Sequence, residues 1–93
     1  MYEKILRRMR DCVRSGDYVA TMHALQEMVD DGLTSSDIRR VVLTGRVRER
    51  QKDRRTDESK YVIDAHTCDG RAGTVVAKLG RGRRLVILTV YLW

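Results

Sequence analysis

The chain has 93 residues, enough for one small domain with a modest core that needs no staples. It has no Phe and a single Trp, so aliphatic side chains must build that core, and Cys12 and Cys68 show no ligand or disulfide spacing. The net charge is +6, and the stretch Arg39–Arg55 alone, with eight basic and two acidic residues, also sums to +6. The basicity is therefore local, which points to a polyanion partner better than a uniformly cationic surface does.

Ile5, Leu6, Met9, Cys12 and Val13 recur at helical spacing and predict a first helix over about 2–14, closed by Ser15-Gly16-Asp17. Such a charged amphipathic start is not a signal peptide, and with reduced cysteines it places the protein in the cytoplasm. Thr21 is the expected N-cap of a second helix over about 22–31, with Leu25, Met28 and Val29 as its buried stripe and Gly32 as its left-handed stop. A third helix over about 35–44 carries the strongest local signal: Thr34 caps it, Asp37 is its third residue, and Leu33 and Ile38 form a staple.

Strands are expected after Gly45, over about 46–54, 60–67, 72–79 and 84–92. In the first, Arg46, Arg48, Arg50, Lys52 and Arg54 alternate with Val47, Glu49, Gln51 and Asp53, so an unbroken strand sends five cations to one face. Neighbours on that face lie roughly 7 Å apart and repel by about 0.6 kcal/mol per pair in water, so the row must face solvent or a polyanion. A helix here could pair Glu49 with Lys52 and Arg50 with Asp53, but it has no apolar stripe to bury. Lys60–Thr67 alternates, with Tyr61, Ile63 and Ala65 opposite Val62, Asp64 and His66. Asp69-Gly70 is a hairpin turn, Gly80–Arg83 a second turn, and Leu85–Leu92 is apolar on both faces but far too short to span a bilayer. The expected fold is one α+β domain over residues 1–93, with three N-terminal helices on one face of a four-stranded antiparallel sheet.

His23 falls in the first turn of the second helix, where the positive helix end disfavours a charged imidazole; a neutral one can act as a base, oriented by Glu27 one turn on. The same residue fits a partly buried structural histidine. Thr89 and Tyr91 share a strand face, and Tyr91 suits either a proton donor or a core aromatic with its hydroxyl at the rim. Arg81, Arg83 and Arg84 either extend the cationic surface or are turn-tip charges. His66-x-Cys68 lacks a second ligand pair, so no metal and no cofactor is implied. The basic row itself serves either polyanion binding or protection of an edge strand.

Three blocks carry a resemblance: Thr21–Met28, Asp31–Ile38 and Gly45–Glu49, followed by Asp69–Arg71, Val75-Val76 and Leu88–Tyr91. From Tyr18 onward the chain resembles the small bacterial domain-of-unknown-function 4258 family. That resemblance implies a fold similar to RelE-type and BrnT-type toxins, several of which are endoribonucleases controlled by an antitoxin. The family's histidine, strand glutamate and terminal tyrosine fall on His23, Glu49 and Tyr91. Around Asp53–Ser59, where many relatives have an aromatic residue, this chain has only polar ones.

The expected function is RNA binding with metal-independent cleavage of toxin–antitoxin type. His23 and Tyr91 would move protons, Glu27 would orient the histidine, and Arg46, Arg48, Arg50, Lys52 and Arg54 would hold the phosphates. The competing expectation is a non-catalytic module, monomeric or homodimeric, that docks an acidic antitoxin-like protein or itself.

Overall fold

The computed structural model describes residues 1–93 as α1 (Glu3–Ser15), β1 (Tyr18–Ala20), α2 (Met22–Asp31), α3 (Ser35–Thr44), β2 (Arg46–Lys52), β3 (Ser59–His66), β4 (Ala72–Leu79) and β5 (Leu85–Leu92). The strands form one sheet in the order β1-β5-β4-β3-β2. All neighbours are antiparallel except β1, which runs parallel to β5 with Tyr18 opposite Leu85 and Ala20 opposite Ile87. The protein is thus α+β with three helices, and the expected four-stranded antiparallel sheet is corrected to a five-stranded mixed one. Three residues are too few for a period-2 pattern to register, so β1 leaves no mark in the sequence. No helix is long and apolar enough to cross a membrane.

Local chemistry sets the helix ends. Thr21 Oγ1 accepts from the Ala24 N–H at 3.1 Å, and Thr34 and Asp37 form a reciprocal capping box. Gly32 closes α2 at φ 66°, a left-handed conformation that glycine adopts without penalty. Arg10 of α1 donates to Val42 O at 3.0 Å and to Gly45 O at 2.9 Å, placing a cation on carbonyls left unpaired by the helix at the end of α3.

One core joins Met9 and Val13 of α1 and Ile38, Val41 and Val42 of α3 to Ile63, Val75, Ala77, Leu85, Ile87 and Val90 of the sheet. From α2 only Ala24 is fully buried; Met28 packs partly buried against the core, whereas Leu25 is 45% and Val29 75% exposed, so the expected stripe holds only at Met28. The reason is tertiary. Beyond Ala20, α2 runs beside the free edge of β5, where Thr21 N donates to Ile87 O and Glu27 accepts from Val90 N, and a strand edge is a narrow surface to cover.

The other face of the sheet lies away from the main core. Residues opposite one another in register share a face, which groups Val62, Asp64 and His66 of β3 with Thr74, Val76 and Lys78 of β4 and Thr89 and Tyr91 of β5. Val62 is 2% exposed yet lies outside the main core, so its cover comes from side chains of this open face.

The basic row does not survive as one row. A β-bulge lies between Val47, opposite Ile63, and Glu49, opposite Val62, and leaves Arg48 as the extra residue. Beyond the bulge the parity reverses: Arg50 lies opposite Tyr61 and Lys52 opposite Ser59 on the helix side, while Glu49 and Gln51 join Arg46 on the open face. The strand stops at Lys52, and Arg54 sits in the following turn. Splitting the row relieves the repulsion that the unbroken alternation entails.

Candidate functional site

Register builds one transverse rung across the open face: Arg46 opposite Asp64, Asp64 opposite Thr74, Thr74 opposite Tyr91. β2 and β5 are three strand spacings apart, about 14 Å, a span that only two long side chains can bridge. The bulge aims Arg48 along this rung. Its Nε donates to Asp64 Oδ2 at 2.7 Å and its Nη2 to Tyr91 Oη at 3.1 Å, while Nη1 reaches Glu49 at 3.4 Å. Thr74 Oγ1 donates to Asp64 Oδ1 at 2.7 Å and accepts from Trp93 Nε1 at 2.8 Å. Hydrogen bonds to Asp64 first, then to Tyr91, raise the Arg48 pKa above its ordinary value.

Of the residues singled out in the sequence, Arg46, Arg48, Glu49, His66, Thr89 and Tyr91 lie on this face. Arg50 and Lys52 point to the other, Lys52 pairing with Asp57 at 3.5 Å. Side chains of Arg46, Arg50 and Arg54 form no ion pair and no hydrogen bond. His23 lies apart at the edge of β5. Its side chain is 68% exposed rather than partly buried, and its one polar partner is Glu27 at 3.4 Å. Glu27 accepts the Val90 N–H at 2.9 Å, which satisfies a strand donor that β1 is too short to reach. No hydrogen bond or ion pair joins the side chains of His23 or Glu27 to Tyr91 or to the cations of the row. Arg84 pairs with Asp17 at 2.9 Å, and the Arg81–Arg83 turn is at the Leu79–Leu85 end of the β4–β5 hairpin, away from Tyr91.

Sequence reasoning missed Asp64, Thr74 and Trp93. Asp64 and His66 stood opposite Ile63 in the alternation, and Trp93 continues the parity of Thr89 and Tyr91. What sequence lacked was the register that sets them beside one another. His66 occupies the open face two residues beyond Asp64 and, unlike His23, shares the face of Tyr91. No group of three or more metal-binding side chains converges anywhere in the chain.

Fold and site together define a small α+β domain of three helices and a five-stranded mixed sheet, one face of which bears an ordered arginine–carboxylate–tyrosine cluster. The chain belongs to the family described as Domain of unknown function (DUF4258), whose family model matches residues 20–92. That match takes in everything from the end of β1 to Leu92 and leaves α1 outside. No curated protein and no solved structure matches the chain.

Proposed function

We propose that this protein binds single-stranded RNA across the open face of the sheet, seating the phosphodiester backbone against Arg46, Arg48 and Tyr91. The observation that carries this reading is the Arg48 guanidinium spanning Asp64 and Tyr91. The Tyr91 hydroxyl accepts from Arg48 and so keeps its own proton to donate to a phosphate oxygen. Arg46, on the same rung and without a counter-charge, adds the cation that Asp64 does not neutralise. The same groups suit metal-independent cleavage: Tyr91 to protonate the leaving oxygen, the arginines to stabilise the phosphorane, and His66, in place of His23, as base. The toxin–antitoxin role and the RelE-type likeness rest on the analogy of helices packed on a sheet.

Binding of labelled single-stranded RNA tests this. Contacts of Arg46 and Arg48 to about two phosphates predict a log–log salt slope near −1.4, and Arg46→Ala should flatten it by roughly 0.7. Cleavage in a chelator should be lost in Tyr91→Phe and His66→Ala and kept in His23→Ala. RNA bound but left intact restricts the face to binding, and no binding at low salt overturns the reading.

A second reading, a protein-interaction module, draws on α2. Met22, Leu25 and Val29 recur at helical spacing and are 82%, 45% and 75% exposed. If this stripe pairs two copies, sedimentation should show a concentration-dependent dimer that Val29→Asp abolishes; a monomer at all concentrations excludes self-association.

A further inference from the structure

Trp93 is the one tryptophan of the chain, and its ring is both anchored and open. Its backbone N–H donates to Ala72 O at 3.1 Å, which prolongs the β4–β5 ladder by one residue. Its parity with Thr89 and Tyr91 puts the indole on the open face, and there Nε1 donates to Thr74 Oγ1 at 2.8 Å. Thr74 donates onward to Asp64, which holds Arg48. The indole is thereby tied into the arginine–tyrosine cluster by its polar edge, while 73% of the residue stays accessible. Ordering a large side chain costs conformational entropy, and burying its ring would repay that cost; here the ring is held while its faces stay in water.

The surroundings say what could cover those faces. Trp93 is not the centre of an apolar patch: its open-face neighbours are Thr74, Tyr91, Asp64 and Arg48, with His66 across Ala72. A protein hot spot sets such a ring among apolar neighbours, whereas a nucleobase needs only a π surface with cations beside it for the phosphate. Tyr91 and Trp93 are about 7 Å apart along the strand face, so one nucleotide can put its phosphate at Arg46 and Tyr91 and its base over Trp93.

We infer that Trp93 is a stacking platform for a nucleobase of single-stranded RNA, set beside the Arg46–Arg48–Tyr91 phosphate seat; this rests on the RNA-binding reading above. It explains how a face with few free cations can hold a flexible strand, since stacking adds affinity independent of salt and of sequence.

Because Trp93 is the only tryptophan, fluorescence excited at the red edge, beyond tyrosine absorption, reports on this ring alone. Titration with a short oligouridylate should quench it, and an abasic ribose-phosphate strand of equal length should not. Anisotropy of the labelled oligonucleotide measures binding separately. Trp93→Ala should weaken binding about tenfold with an unchanged salt slope, and Trp93→Phe should recover most of the loss. Circular dichroism of Trp93→Ala verifies the fold, which should persist because 73% of the residue is exposed. Undiminished binding by Trp93→Ala, or equal quenching by the abasic strand, overturns the platform while leaving the RNA-binding reading in place. If neither strand binds at low salt, both fall.

Discussion

Gly45→Ala is expected to lower stability by about 3 kcal/mol, seen as a fall in Tm of roughly 12–24 °C. Gly45 joins α3 to β2 at φ −81°, ψ 176°, which alanine adopts freely, so the penalty is one of space alone. A Cβ there would lie 2.4 Å from Val41 O, 2.7 Å from Ile63 Cγ2 and 2.8 Å from Asp64 O. Two of these atoms are backbone, fixed by a helix on one side and a central strand on the other, so neither can yield cheaply. Arg10 locks the same junction through Val42 O and Gly45 O. The effect should reach the candidate site, because moving the Asp64 backbone moves the carboxylate that holds Arg48. Gly16→Ala is the control: at φ 76° with nothing within 4 Å it meets strain but no obstacle, and about 1 kcal/mol is expected. A Gly45→Ala variant that melts within a few degrees of the parent would show that this junction is loosely packed.

What could be read from the sequence was whatever is decided within a few residues. Thr21, Gly32, Thr34 and Asp37 mark their helix ends because a cap is made with atoms three or four positions away. The α1 stripe and the two faces of β3 were legible because a broad core or a full strand pairing enforces the period. Failures begin where a distant element decides. Leu25 and Val29 are apolar at helical spacing, yet the partner of α2 is a strand edge, so exposure follows from topology and not from pattern. Alternation over Arg46–Arg54 was real in the sequence but not in space, because one extra residue at Arg48 reverses the parity. The target of that bulge, Asp64, is on another strand and sixteen residues away. The histidine question turned on the same limit. His23 stood next to a plausible orienting carboxylate, and Glu27 does touch it, but that carboxylate serves the Val90 N–H. His66 had no local partner to advertise it, and only the register puts it on the face of Tyr91.

Asp37→Ala should rival Gly45→Ala, at about 3 kcal/mol, by leaving buried donors without partners. Asp37 is 6% exposed. Its Oδ2 accepts from Thr34 N at 2.8 Å and Thr34 Oγ1 at 3.1 Å, and its Oδ1 accepts from Cys68 N at 2.9 Å, tying the start of α3 to the β3–β4 turn. Thr34→Ala removes the cap and the Oγ1 donation to Asp37 and should cost about 1 kcal/mol, so the excess reports the Thr34 N–H bond and the tie to Cys68 together. Acid should reproduce the loss. The Thr34 N–H, aided by that of Cys68 and opposed by burial, lowers the Asp37 pKa, so the unfolded chain binds the proton at higher pH than the fold does. Its stabilisation is therefore complete above the ordinary carboxylate value of about 4 and disappears as pH falls through the lower folded value. Asp69, held at about 2 by hydrogen bonds from Thr67 and then Arg71, acts in the same direction and extends the window downward. Urea midpoints measured from neutral pH into this window should converge for the parent and Asp37→Ala as the carboxylate is titrated. A gap that stays constant throughout would mean that the carboxylate's charge is not what ties α3 to the turn.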